Sequence, residues 1–204
     1  MQLKMNWFGL AGGITTILLI VISLFIPWWQ LTVGEGVVAA NVSPLNTNFD
    51  FVGNSFTVPL LWAFNLASIL YLTAGGIVML IYSIKPTKQY SKRLLGFSYR
   101  KPLYFVAFFV IGLIVLTVII QSILKLSIPL LGSAEITLPS NITEGMNISV
   151  LVSAGFLWPF WLAVVSAGLC IAARLYHKRI LTLTPSAAPT PEATTVKLPS
   201  PPTV

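Results

Sequence analysis

The side chains that carry most enzyme chemistry are scarce in this chain. It has one histidine, His177, one cysteine, Cys170, and five acids: Glu35, Asp50, Glu135, Glu144 and Glu192. A Ser-His-Asp relay needs its acid beside its histidine. His177 stands in the basic run 174–179, whereas four of the five acids fall in the segments 29–58 and 125–149. A single histidine leaves no bis-histidine haem site and no histidine-rich metal site within one chain. No G-x-x-x-x-G-K-[ST], G-x-G-x-x-G or H-E-x-x-H occurs. Cys170 lies in an apolar run and reads as a small buried hydrophobe; being alone, it forms no intramolecular disulfide. The expectation is a protein that is not an enzyme and uses no cofactor or metal.

The elements that would position any site are dictated by composition. Of 204 residues, 56% are hydrophobic and 8% charged, and the mean hydropathy is +0.88. Soluble domains carry about 25% charged residues, so this set cannot cover a water-exposed globule. The class that fits is an integral membrane protein. Four apolar runs have spanning length, at about 7–28, 59–84, 102–124 and 150–173. None has an acid or base in its interior, and roughly 20 residues of helix cross a hydrocarbon core of about 30 Å. The first run, after Lys4, is longer than a signal-peptide core and meets Pro27-Trp28-Trp29 instead of a small-residue cleavage site, so it reads as a retained helix. Trp28 and Trp29 read as interface anchors, at the level indole rings prefer.

The net charge of +7 is segregated along the chain. The 85–101 loop holds Lys85, Lys88, Lys92, Arg93, Arg100 and Lys101 without an acid, and Arg174, Lys178 and Arg179 follow the last run. By the positive-inside rule these face the cytoplasm, both termini are inside, and loops 29–58 and 125–149 face out. Attraction to anionic inner-leaflet lipid is the nearer account of the basic loop than nucleic acid, despite the interleaved Tyr90, Phe97 and Tyr99. Sequons at Asn41, Asn141 and Asn147 all fall on the outer side, as N-glycosylation would require.

Within the first outer loop, β-prone runs at 30–33, 37–40, 49–52 and 55–58 are separated by Gly34-Glu-Gly36, Ser43-Pro-Leu-Asn46 and Gly53-Asn54. That punctuation is compatible with a small antiparallel sheet, to which 135–138 could add a strand. Polar residues inside the runs are few, among them Thr16, Ser23, Asn65 and Gln121. With no ionisable group at mid-depth, an ion or proton pathway is disfavoured. Small residues recur four apart, as Gly9 and Gly13, Ala63 and Ala67, Ala163 and Ala167, and Gly168 and Ala172. Such pairs let helices approach closely, inside one bundle or along an oligomer seam. Residues 182–204, rich in Pro and Thr, read as a disordered, partly polyproline-II cytoplasmic tail, which a proline-reading partner could bind.

The layout resembles the claudin and peripheral myelin protein type of tetraspan, with four helices, a longer first outer loop and a small outer sheet. The junction Phe25-Ile-Pro27-Trp28-Trp29-Gln30-Leu31 is similar to that family's Pro-x-Trp, with Trp29 on the family's tryptophan. The cysteine-containing signature of the family's first loop is missing, since no cysteine or tryptophan lies between Gln30 and Pro59. The resemblance implies adhesion, barrier or complex-organising roles.

The resulting expectation is an all-α membrane domain over 1–181, a four-transmembrane-helix bundle whose outer loops could form a small antiparallel sheet. Its partners are the bilayer and other membrane proteins or further copies of itself, and its function is scaffold, adhesion component or accessory subunit. The alternatives are a component of a transporter or channel, and a ligand-free structural subunit of a membrane redox complex.

Overall fold

The computed structural model describes residues 5–34, 36–86, 88–124, 128–137 and 149–182. The first element, α1, spans Trp7–Ser23. Asn6 caps it, its side-chain oxygen accepting from the Gly9 amide at 3.0 Å. The helix ends four residues ahead of Pro27, whose ring cannot follow a helical turn. The first run is therefore helical only to Ser23, and not to 28. β1 (Trp29–Val33) and β2 (Val38–Val42) follow, then β3 (Asn48–Phe51) and β4 (Asn54–Phe56). α2 covers Pro59–Ile84, with proline at its first position, where a missing N–H costs no intrahelical bond.

The inner loop 85–101 is more than a connection. It contains α3 (Ser91–Ser98), which buries Ser91, Leu95 and Ser98 and leaves Lys92, Arg93 and Phe97 exposed. α4 starts at Arg100, two residues before the expected 102, and runs to Leu124. β5 is Gly132–Thr137. The last apolar run divides in two: β6 takes Ser149–Phe156 and α5 takes Trp158–Thr182. The span expected at 150–173 is thus displaced by eight residues at its start. The β-branched Val150 and Val152 favour the strand, and Pro159 marks the opening turn of the helix.

Among the described residues the six strands form one antiparallel sheet in the order β4-β3-β2-β1-β6-β5. The small outer-loop sheet expected from the turn punctuation is present and has six strands, which makes the architecture mixed helix and sheet rather than all-α. β1 is central, with Trp29 opposite Val42 on one side and Phe156 on the other. Five residues join α1 to β1 and a single residue, Leu157, joins β6 to α5, so the sheet is fastened to the ends of α1 and α5. Val52 and Gly53 turn β3 into β4 with positive φ of 48° and 78°, and the valine stands exposed at the tip.

Below the sheet α1 packs between α2 and α5, and α4 closes against α5 and α2. The contacts are close because α1 carries glycines at the crossings. A Cβ on Gly9 would run into Ser83 Oγ; one on Gly12 would sit 3.0 Å from Cys170 Sγ; one on Gly13 would sit 2.6 Å from Leu80 Cδ2. Thr16 and Ser166 share a buried hydroxyl pair at 2.8 Å between α1 and α5. Where lipid offers no hydrophobic drive, such small-residue contacts and hydrogen bonds hold helices together.

Three helical stretches are long and apolar enough to cross a membrane: Pro59–Ile84, Ser91–Ser122 and Trp158–His177. α1 is equally apolar but has 17 residues.

Candidate functional site

The Pro27-Trp28-Trp29 junction is a core element of the protein. Trp28 is 0% and Trp29 4% exposed. Trp28 Nε1 donates to Ser23 Oγ at 2.8 Å, and its ring meets Phe109 and Phe160 edge-on, with centroids at 5.1 and 6.3 Å. Trp29 Nε1 donates to the Leu130 carbonyl at 2.9 Å. Neither residue is the interface anchor expected from the sequence. β1 begins at Trp29, so the chain turns inward at once and both indoles become the joint between sheet and bundle. The exposed tryptophans are Trp7 at the far end of α1, and Trp62, Trp158 and Trp161 on the first turns of α2 and α5.

The two faces of the sheet differ in chemistry. One face carries Gln30, Thr32, Asn41, Asp50 and Ser153, linked by hydrogen bonds. Gln30 Nε2 donates to Asn41 Oδ1 at 2.9 Å, Asn41 Nδ2 donates to Asn48 Oδ1 and Asp50 Oδ2, and Ser55 Oγ donates to Asp50. Thr32 and Ser153 share a hydroxyl pair at 2.7 Å. The other face carries Trp29, Leu31, Val42, Ala154 and Phe156, which join the core with Phe109 and Phe160. Beyond the helix ends that apolar face continues without cover from the described residues. Leu31, Val33, Val38, Ala40, Phe49 and Phe56 line an open hollow of about 430 Å³. Phe49 stacks on Phe56 at 5.7 Å, and Phe51 and Phe56 remain 58% and 54% exposed. Alternation of apolar residues at 31 and 33 and at 49 and 51 was the signal in the sequence for this surface; the sheet order that gathers them was not.

The sequon at Asn41 is occupied by this polar network. Both hydrogens of its Nδ2 are donated, and Ser43, the third sequon residue, is buried with its Oγ accepting from the Leu45 and Asn46 amides. In the folded sheet that nitrogen is thus fully engaged in hydrogen bonds. Asn41→Gln is therefore expected to leave gel mobility unchanged and to lower stability by about 1–2 kcal/mol, because Asp50 and Asn48 lose a donor. Mobility and thermal unfolding of the purified variant check this; a faster-running Asn41→Gln band would show a glycan at that site. Asn141 and Asn147 lie outside the described residues, as does most of the 182–204 tail.

The small-residue pairs divide. Gly9 and Gly13, and Ala163 and Ala167, are buried inside the bundle. Ala63, Ala67 and Gly168 are exposed, and a Cβ on Gly168 would meet nothing within 4 Å. Asn65, with its amide oriented to suit its neighbours, bonds the backbone of Pro44 and Thr47 rather than another helix. Cys170 is buried against Gly12. His177, although it stands in the basic run 174–179, is buried, edge-on to Tyr82 at 5.5 Å. Among the described residues no cluster of His, Cys, Asp or Glu could hold a metal ion.

The basic residues gather at the end of the bundle opposite the sheet. Lys85, Lys88, Lys92, Arg93, Arg100, Arg174 and Arg179 are exposed there, and Lys178 follows on α5. Lys101 departs from the expected surface cluster. It is 2% exposed, and its Nζ lies 3.2 Å from the Tyr71 ring centroid and 3.8 Å from that of Phe97. Its stem fits because position 75 is glycine; a Cβ there would come within 2.7 Å of Lys101 Cδ. Asp50 and Glu135, the described acids, are on β3 and β5 at the other end. No family model and no curated protein sequence matches this chain.

Proposed function

We propose that this protein is a non-enzymatic four-helix membrane protein whose sheet binds a partner outside the bilayer, as a scaffold, adhesion component or accessory subunit. The carrying observation is the apolar hollow under β1–β4, open to solvent with two phenylalanines half exposed. Exposed contiguous apolar surface on a folded domain marks a contact site. The short edge strand β4 beside it offers backbone groups for strand addition.

The membrane reading rests on the apolar exteriors of α2, α4 and α5, on exposed tryptophans near the helix ends, and on charge. Bases at one end of the bundle and described acids at the other fit the positive-inside rule, with the sheet outside and both termini in the cytoplasm. At 17 residues α1 reaches about 25 Å, enough for a fourth span at the thin limit. The sheet above four helices also supports the likeness to claudin-type tetraspans, and with it an adhesive or complex-organising role.

The test compares wild type with a Phe51→Ser/Phe56→Ser variant. Particle mass in mild detergent or nanodiscs is read by light scattering, and partners are identified after crosslinking. A wild-type assembly larger than one chain that the variant reduces to a monomer is the expected result. A wild type that is monomeric, with no crosslinked partner, refutes the reading.

A further inference from the structure

Three cations at the basic end are held on aromatic rings and none on a described acid. Tyr99, buried at the α3–α4 junction and packed among Met79, Tyr82 and Cys170, is a fixed platform. Arg174 of α5 places its guanidinium carbon 4.3 Å from the Tyr99 ring centroid. Arg100 of α4 places its own 5.6 Å from the same centroid, and its Nε donates to Tyr99 Oη at 2.9 Å. Both side chains are exposed. Next to Arg100, Lys101 is sealed between Tyr71 and Phe97 and adds a positive charge that solvent cannot screen well.

Two guanidinium groups converging on one ring repel each other, and the described acids Asp50 and Glu135 are at the far end of the molecule. Stacking on an aromatic face leaves the in-plane N–H donors of an arginine directed past the ring edge, and phosphate is the anion that this planar fork matches in two-point contact. Basic pockets between helices on the cytoplasmic side of a membrane suit phosphate-bearing headgroups.

We propose that Arg100 and Arg174, mounted on Tyr99, form a phosphate-binding site between α4 and α5, for which the headgroup of an anionic phospholipid is the ligand the bilayer supplies and free phosphate the aqueous one. Lys101 does not touch the ligand; it deepens the positive potential around it. The site is independent of the partner-binding hollow, which lies at the opposite end of the bundle.

The experiment uses the full chain in detergent micelles, with native mass spectrometry counting bound ligand. The probes are dioctanoyl phosphatidylglycerol, dioctanoyl phosphatidylcholine and inorganic phosphate, applied to wild type, Arg100→Gln/Arg174→Gln and a control, Lys88→Gln/Arg93→Gln, of equal charge loss. The expected result is saturable phosphatidylglycerol binding, weaker by about tenfold or more in the arginine variant and unchanged in the control. Binding of inorganic phosphate alone, lost in the same variant, also upholds the site and identifies the ligand as free phosphate. Binding of neither phosphatidylglycerol nor inorganic phosphate overturns the proposal, as do retention unaffected by the arginine substitutions and equal loss in the control. Thermal unfolding of each variant confirms that these exposed substitutions leave the fold intact.

Discussion

Trp28→Ala is expected to lower the unfolding free energy by about 3–5 kcal/mol, the range for emptying a large aromatic site in a packed core. The indole is wholly buried where α1, α4, α5 and β1 meet, and its loss removes the edge contacts to Phe109 and Phe160 together with the bond to Ser23 Oγ. Trp28→Phe separates the two contributions. It keeps a ring in place and leaves the serine hydroxyl without its donor, so a smaller loss of about 1 kcal/mol is expected. Unfolding titrations in mixed micelles measure both. A Trp28→Ala protein as stable as wild type would return the residue to the membrane surface and refute the joint described above.

The second large effect is expected at Asn6. This side chain, 0% exposed, caps α1 and ties it to both neighbours: Nδ2 donates to Tyr82 Oη at 2.8 Å and to the Ala173 carbonyl at 2.9 Å, and Oδ1 accepts from Gly9. The Asn6 amide itself donates to the Ser83 carbonyl at 3.0 Å. Asn6→Ala removes the cap, worth about 1 kcal/mol, and leaves a buried carbonyl and hydroxyl short of a donor, at about 1–3 kcal/mol. A total loss of roughly 2–4 kcal/mol is expected, and Tyr82→Phe in the Asn6→Ala background should restore part of it, because the orphaned hydroxyl is then gone. A double variant no more stable than Asn6→Ala would show that the asparagine–tyrosine bond contributes nothing.

Helix positions were legible because apolar length is a one-dimensional property. α2 coincides with the span read at 59–84, and α4 begins within two residues of its expected start. The strands of the first loop were legible from glycine and proline punctuation, as was much of β5. What could not be read was β6. Its residues are as apolar as the helix that follows, and pairing with Trp29–Val33 on one side and Gly132–Thr137 on the other selects the strand. The inward turn of Trp28 and Trp29 escaped for the same reason: an indole at the end of an apolar run looks alike whether lipid or Phe109 covers it. Lys101 shows the limit for charges. Position along the chain placed it with the surface bases, but its burial depends on a glycine at 75 and rings at 71 and 97, which distant segments supply.

The pairing of β1 with β6 also sets an order of events during synthesis. Thr32 and Ser153, bonded across that seam, are 121 residues apart. When the first hairpins have left the ribosome, the inner edge of β1 still has no neighbour, and it acquires one only after α4 has been made. Such late, non-local pairing is slow and leaves an open strand edge exposed meanwhile. Chains truncated before Ser149 would keep that edge permanently, so an unpaired β1 distinguishes an unfinished molecule from a finished one.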